Sequence, residues 1–306
     1  MKPAICLLES PDWTDYALLD SGNGSRLERF GPYTFIRPEH QAIWQPALPM
    51  EEWENSQAVY HATAEESGGR WEFRKPIKDA WQMQYKGLRF TARVSSSRHL
   101  GVFPEQASHW EWISQVIKAA GRPVKVLNLF GYTGLASLAA AQAGASVTHV
   151  DASKKSVAWA RENQELSHLE QKPIRWILDD AVKFVQRESR RQAVYDGIIM
   201  DPPKFGRGPK GEVWECFDML PDLLKTCRSI LLPRPLFIVI TAYAIRASAL
   251  SLFYALEDMT NGLEGGLETG ELVLRERSAG RILSTAIYAR WSAGEGPTEK
   301  SSGEMR

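Results

Sequence analysis

Val126-Leu-Asn-Leu-Phe-Gly-Tyr-Thr-Gly134 decides the fold of this 306-residue chain. Its apolar start reads as a buried parallel strand, and its two glycines as a turn into the Ala-rich helix 135–143. A second strand, 146–150, leads to Asp151, 20 residues past Gly131. Strand, glycine turn, helix and a strand ending in an acid form a nucleotide-handling βαβ unit. The turn lets a ligand approach the backbone, and the carboxylate can accept two ribose hydroxyls.

The alternation continues outward from this unit. Strands are expected at 124–130, 146–150, 174–178, 195–200 and 236–241, with helices at 135–143, 153–166, 180–187, 215–231 and 247–260. Such interleaving predicts an α/β fold with a mostly parallel sheet and helices on both faces. Runs at 271–276 and 282–291, around Ser-Ala-Gly, predict a closing hairpin with an antiparallel edge. The polar tail 292–306 is expected to be disordered. Upstream, Trp112, Ile113, Val116 and Ile117 mark one helix.

Residues 1–98 read as a separate β-rich domain and 99–291 as the catalytic domain. Short strands are expected at 16–19, 33–37, 58–61, 70–73 and 88–94, with turns at Ser-Gly-Asn-Gly, Gly-Pro and Gly-Gly. Trp13, Trp44, Trp53, Trp71 and Trp81 are expected to fill its core. Net charge is zero, so bulk charge names no partner. Locally, residues 1–69 carry net −7 and residues 70–98 net +6. The basic segment suits either an anionic partner or two solvated strand faces.

The three cysteines, Cys6, Cys216 and Cys227, are scattered, so neither a disulfide framework nor a metal site is expected. The N-terminus has no leader-like pattern, and no apolar run reaches the roughly 18 residues of a membrane span. A cytoplasmic protein is expected.

In an open α/β sheet the ligand binds beyond the carboxyl ends of the strands. Those positions hold Phe130–Gly134, Asp151, Asp179-Asp180, Asp201-Pro-Pro-Lys-Phe205 and Thr241-Ala-Tyr243. A dinucleotide fingerprint is G-x-G-x-x-G, but Phe130 stands where its first glycine belongs. The turn therefore suits a ligand that needs close backbone approach without a pyrophosphate cradle, which S-adenosylmethionine satisfies.

On these residues the chain resembles class I S-adenosylmethionine-dependent methyltransferases. Leu-Asn-Leu-Phe-Gly-Tyr-Thr-Gly, His149-Val-Asp-Ala-Ser153 and Asp-Pro-Pro-Lys-Phe are similar to the bacterial 23S ribosomal RNA methyltransferase (RlmI/RlmK-like) group, over about residues 100–291. The resemblance implies a Rossmann-like fold and S-adenosyl-L-methionine as cofactor. Asn128, Phe130, Gly131, Tyr132, Thr133 and Gly134 would hold its amino-acid end, and Asp151 with Ala152 its ribose. Asp180, or alternatively Asp179, would accept from the adenine amino group. Phe103 and Gln106 would cover it. For Asp151, Asp179 and Asp180, helix capping is the structural alternative.

Asp201, Pro202, Pro203 and Phe205 carry the mechanistic content. Prolines after a buried strand end pairing and leave carbonyls free. An Asp and a free carbonyl can both accept from an amino group and aim its nitrogen at the methyl. Phe205 can stack on a planar acceptor. C5 methylation of cytosine needs a thiolate, and neither the 201–205 nor the 241–246 stretch has a cysteine; Cys216 reads as packing. The acceptor is thus expected to be a base nitrogen of ribosomal or other structured RNA. A protein or small-molecule substrate, and a silent cofactor- or RNA-binding protein, are the alternatives. Lys204, Arg207 and Tyr243 are expected to meet the substrate. Lys210, Arg187, Arg190 and Arg191 suit either phosphate contacts or a solvated surface, and the loop 206–211 is expected to be mobile. The sequence gives no oligomeric state.

Overall fold

The computed structural model describes residues 3–63, 68–243 and 246–294. In chain order the first part holds β1 (Ile5–Glu9), β2 (Tyr16–Gly22), β3 (Ser25–Phe30), β4 (Tyr33–Pro38) and α1 (Met50–Glu54). Then come β5 (Ala58–Ala62), β6 (Gly69–Phe73), β7 (Ala80–Tyr85) and β8 (Leu88–Arg93). A 3-10 turn, Pro104–Gln106, opens α2 (Ala107–Ala119). The alternating part runs β9 (Lys125–Leu129), α3 (Leu135–Gln142), β10 (Ser146–Asp151), α4 (Lys154–Leu166), β11 (Ile174–Leu178), α5 (Ala181–Arg190) and β12 (Gly197–Met200). It continues through β13 (Phe205–Arg207), β14 (Val213–Glu215), α6 (Cys216–Ser229), β15 (Phe237–Ala242), α7 (Ala249–Thr260), β16 (Gly266–Arg275) and β17 (Ile282–Ser292).

The main sheet has the order β1-β16-β17-β15-β12-β9-β10-β11. Every neighbouring pair is parallel except the two made by β17. Strand order reverses between β9 and β12, which opens a ligand crevice at their carboxyl ends. Helices cover both faces, and β12 shows why. Ile198 and Met200 join a core with Phe184, Leu223 and Leu252 of α5–α7. Ile199 points the other way and packs with Ile113, Ile117 and Ala140 of α2 and α3. Alternate residues of one strand feed two cores, so the strand is apolar throughout.

Three expectations are corrected. The closing antiparallel hairpin forms, with β17 between β15 and β16, but it does not end the sheet, because β1 adds beyond β16. The edge is β1, which pairs in parallel with β16 from Ile5↔Thr269 to Glu9↔Val273. Residues 5–9, expected in the N-terminal domain, thus belong to the catalytic sheet. Lastly, Ser292 is the end of β17 rather than part of a tail; the rest of the expected disordered tail, 295–306, lies outside the described residues.

The N-terminal part forms a five-stranded sheet, β2-β3-β4-β5-β6, and a β7–β8 ribbon. Asn23 and Gly24, both with positive φ, make the two-residue turn between β2 and β3, the geometry that matches strand twist. Its core is shared with the catalytic part. Trp13, Phe30, Phe35, Trp81 and Phe90 pack in one cluster with Trp110, Leu135, Leu138 and Leu274. Trp13, Trp53 and Trp81 are buried, while Trp44 and Trp71 pack against that cluster, so the tryptophans fill the core as expected. Among the described residues no helix is long and apolar enough to cross a membrane.

Candidate active site at the carboxyl ends of the sheet

The glycine turn is built by packing from below. Gly131 donates its N–H to Val150 O at 3.1 Å, and Gly134 donates to Gly131 O at 3.0 Å. Phe130, Tyr132 and Gly134 have φ of 57°, 50° and 84°, and the first two are costly conformations for residues with side chains. Several contacts enforce them. Asp151 Oδ2 accepts from Tyr132 N at 2.8 Å. Thr133 Oγ1 donates to Gly101 O at 2.7 Å, and Asn163 Nδ2 donates to Thr133 O at 3.0 Å. Phe130 packs on Trp214, ring centres 4.9 Å apart.

Asn128 lies beneath the turn, fully buried, and donates to Ser137 Oγ at 2.9 Å. Ser137 Oγ is in turn 3.0 Å from His149 Nδ1. Burial holds His149 neutral, its pKa lowered to about 3. Expected as a cofactor contact, Asn128 has its side chain committed to this network, so it supports the turn from behind. A Cβ on Gly131 would come within 2.4 Å of His149 Cε1, which is why the turn needs glycine here.

Asp151 does not cap α4. Ser153 does so by accepting from Ser156 N. Asp151 instead accepts one backbone N–H on each oxygen, from Tyr132 and from Ser153, both at 2.8 Å. Each oxygen keeps a lone pair for a diol. Burial raises its pKa despite those two bonds. Ala152 follows, partly exposed. Asp180 does cap its helix: Oδ1 accepts from Lys183 N at 2.9 Å. Asp179 accepts from Asp180 N and pairs with Arg187 at 2.7 Å.

β12 ends beside β9, with Met200 opposite Leu129. Asp201 therefore emerges next to the glycine turn. It is about two strand spacings, roughly 10 Å, from Asp151. Gln106 Nε2 donates to Asp201 Oδ2 at 3.2 Å. Burial, then the nearby Glu105 carboxylate, pushes the Asp201 pKa up to about 8 against the opposing Gln106 bond. Trp214 Nε1 donates to Pro203 O at 2.7 Å.

Phe103 lines the mouth. Its ring centre is 4.9 Å from Tyr243, 5.7 Å from Tyr132 and 4.8 Å from His99. The Tyr243 hydroxyl is buried without a hydrogen-bond partner among the described residues. Phe103, Gln106, Tyr243, Asp201 and the 130–134 turn, distant in sequence, are thus brought together.

The loop expected to be mobile is an ordered hairpin. β13 and β14 pair from Phe205↔Glu215 to Arg207↔Val213, and Lys183 Nζ pairs with Glu212 at 2.6 Å. Phe205 is half-exposed on it, and Lys204 and Arg207 are exposed. Of the expected phosphate contacts, Arg187 is engaged by Asp179 and Arg191 by Glu188; Arg190 and Lys210 are exposed. Cys216 is buried and burial raises its thiol pKa, so it is packing and not a nucleophile.

Two participants escaped the sequence reading, and a third, Glu105, fell inside the stretch 103–106 expected to cover the cofactor. Glu105, 3% exposed, has its carboxyl pKa raised by burial. His99 and Trp214 are aromatic neighbours of the site. Only Glu105 left a signal, because it falls between Phe103 and Gln106.

The rim of the crevice carries Asp151, Asp179, Asp180, Asp201 and Glu105. Turn 130–134 contains no Lys or Arg. Such a rim repels a pyrophosphate and suits a cationic ligand rich in N–H and O–H donors, so the residues present fit S-adenosylmethionine. A mostly parallel sheet with one inserted antiparallel strand, a glycine turn without a phosphate cradle and an acidic rim define a methyltransferase of the Rossmann-like class. The chain belongs to the S-adenosylmethionine-dependent methyltransferase family, whose model matches residues 38–245. A crystal structure of the S-adenosylmethionine-dependent methyltransferase from Agrobacterium tumefaciens is 50% identical, covers 95% of each chain and superposes with a TM-score of 0.90. SMU.776 complexed with SAH, 18% identical over 92% of this chain and 76% of its own, shares the fold at a TM-score of 0.70. The ribosomal RNA large subunit methyltransferase K/L of Shewanella sp. (strain ANA-3) is 36% identical over 138 residues. That match spans 44% of this chain but only 18% of the relative's length.

Proposed function

We propose that this methyltransferase transfers a methyl group to a base nitrogen of structured RNA, ribosomal RNA first among the candidates. One observation carries the nitrogen assignment: a half-buried Asp201, its Oδ2 oriented by Gln106, stands beside the turn Pro202-Pro203. The RNA assignment draws on the name of the Shewanella relative. A cytoplasmic location belongs to the same reading.

In this reading the backbone of Phe130–Gly134 holds the amino-acid end of the cofactor and Asp151 its ribose. Asp180 accepts from the adenine amino group with the oxygen not used in capping. Phe103 and Gln106 close over the site and exclude water. Bound S-adenosylmethionine supplies an electrophilic methyl on a sulfonium.

Asp201 Oδ1 and the Pro202 carbonyl accept the N–H groups of the incoming base. Doing so turns the nitrogen lone pair toward the methyl and makes a displacement in line, which is worth several kcal/mol of positioning. The methylated nitrogen sheds a proton, and Asp201 receives it, because a carboxylate with a raised pKa is a better base than an ordinary one. Phe205 and Tyr243 hold the plane of the base, and Lys204 and Arg207 meet flanking phosphates. Residues 99–291 perform the chemistry, and the β-rich part within 1–98 recognises the substrate.

Modified nucleosides from a deletion strain and its parent, compared by mass spectrometry, test the proposal. One methylated base should disappear from RNA and return with a plasmid copy. If every RNA methyl mark is unchanged, RNA is not the substrate. Separately, Asp151→Ala should weaken S-adenosylmethionine binding at least tenfold by calorimetry, losing two charge-assisted bonds of about 1.5–3 kcal/mol each. Unchanged affinity would confine Asp151 to bracing the turn.

A further inference from the structure

The basic segment 70–98 contains two kinds of cation. Arg74 and Lys75 bond the carbonyls of Trp53 and Asn55, Lys86 pairs with Glu111, and Arg93 with Glu162. Arg70, Lys78 and Arg98 make no ion pair or hydrogen bond through their charged groups among the described residues. Arg70 and Lys78 border a surface groove of about 610 Å³, whose wall carries Trp71 and Phe73. Phe73 is 54% exposed on its strand.

Val94–Ser96 forms another wall of that groove and leads towards the active site. This loop is pinned by the N-terminal sheet. Tyr60 Oη donates to Ser96 O at 3.3 Å, Trp71 Nε1 to Ser97 O at 3.1 Å and Arg37 Nη1 to Arg98 O at 3.2 Å. Three residues separate Ser96 from His99, a reach of at most about 10 Å. The His99 ring meets Phe103 at 4.8 Å, and Phe103 meets Tyr243 at 4.9 Å. Burial, with Arg37 and Arg26 close by, disfavours the charge on Arg98, a situation that a bound anion relieves. The backbone stretch 96–99 thus joins the aromatic and basic groove to the aromatic mouth of the crevice.

We propose that this path is a track for the single-stranded RNA flanking the target nucleotide. Trp71 and Phe73 stack bases in the groove, Arg70, Lys78 and Arg98 neutralise phosphates, and the His99–Phe103 step guides the strand to Asp201. One exposed ring and one half-buried ring, interleaved with cations that have no internal partner among the described residues, match a polyanion built of planar units. The inference rests on the RNA reading above and adds where the strand runs.

The test compares the full chain with Phe73→Ala, Arg70→Glu/Lys78→Glu and a single charge reversal elsewhere in the same segment, Arg89→Glu. Arg89 is exposed in a separate depression with Glu162 and Glu165. The probes are a fluorescein-labelled single-stranded RNA of mixed sequence and ribosomal RNA from the deletion strain. Phe73→Ala should weaken binding roughly fivefold to a hundredfold. The double variant should lower the salt slope by about 1.4, at about 0.7 per phosphate contact. Both should raise the KM for RNA at near-normal kcat, with cofactor affinity and melting temperature intact, and Arg89→Glu should match wild type. If wild type methylates RNA and the groove variants do so with an unchanged KM, the track is wrong and the RNA reading stands. If wild type methylates no RNA, both fall.

Discussion

Asp201→Asn should give an enzyme that is more stable and nearly inactive. The carboxyl of Asp201 is pushed up to about 8, first by burial and then by Glu105. The sign follows from linkage. Below the ordinary carboxyl range both folded and unfolded chains hold the proton, and no difference arises. Between there and about pH 8 the folded chain keeps a proton that the unfolded chain has lost, so stability falls as pH rises. Above about pH 8 both are ionised and the folded state bears the full penalty, up to roughly 5 kcal/mol. Asparagine imitates the neutral acid and removes the penalty. Its melting temperature should exceed wild type by several degrees at pH 8.5, and by much less at pH 5. Turnover should fall on the order of 10²–10³-fold, the usual cost of losing a charged partner at the reacting group. Cofactor affinity should remain within a few-fold of wild type. In the parent, kcat/KM for the acceptor should rise with pH and level off near 8. Calorimetry at several pH values and a methyl-transfer assay read both halves. An asparagine variant that turns over normally would remove Asp201 from the chemistry. One with a pH-independent stability difference would contradict the raised pKa.

Gly131→Ala should damage cofactor binding through a ring that never touches the cofactor. The new Cβ would lie 2.4 Å from His149 Cε1 and 2.5 Å from Nδ1. The ring cannot step aside, because it is fully buried, linked to Ser137 and set against Trp176 at 4.6 Å. The turn must then rise, dragging Phe130 and Tyr132 away from the contacts that hold their positive φ. Overpacking of this kind costs about 1–3 kcal/mol of stability, and S-adenosylmethionine affinity should drop at least tenfold. The informative control is the double variant with His149→Ala, which removes the obstacle. It should bind the cofactor better than Gly131→Ala alone, a non-additive result that marks direct contact. If Gly131→Ala binds as wild type, the turn tolerates displacement and is not the tight cradle described here.

The central sheet was legible because β9, β10, β12 and β15 are buried on both faces and read as apolar runs between turn residues. The N-terminal part was less so. β3 hid because its inward residues include Glu28, which is buried against Arg37 at 2.7 Å and bonded by Tyr16, so an ionic network replaces the apolar alternation. β7 was readable in principle, with Trp81, Met83 and Tyr85 inward and glutamines outward. β1 was not, since nothing local announces a partner at the far end of the chain. At the site, residues that follow strands were found by position alone. His99 and Trp214 were not, because they reach the crevice from a connector and a hairpin whose placement is tertiary. Asn128, next to the turn in sequence, lies under it in space and bonds Ser137.

The pairing of β1 with β16 also has a temporal side. These strands are some 260 residues apart, and a ribosome adding about 5–20 residues per second takes roughly 13–50 s to cover that distance. For that interval Ile5, Leu7 and Leu8 have no sheet to join, although the core around Trp13 and Phe30 is already available for collapse. The nascent chain must therefore park its first strand without committing it to a neighbour. Pairing of β1 with β16 therefore waits until residues 266–275 have been made.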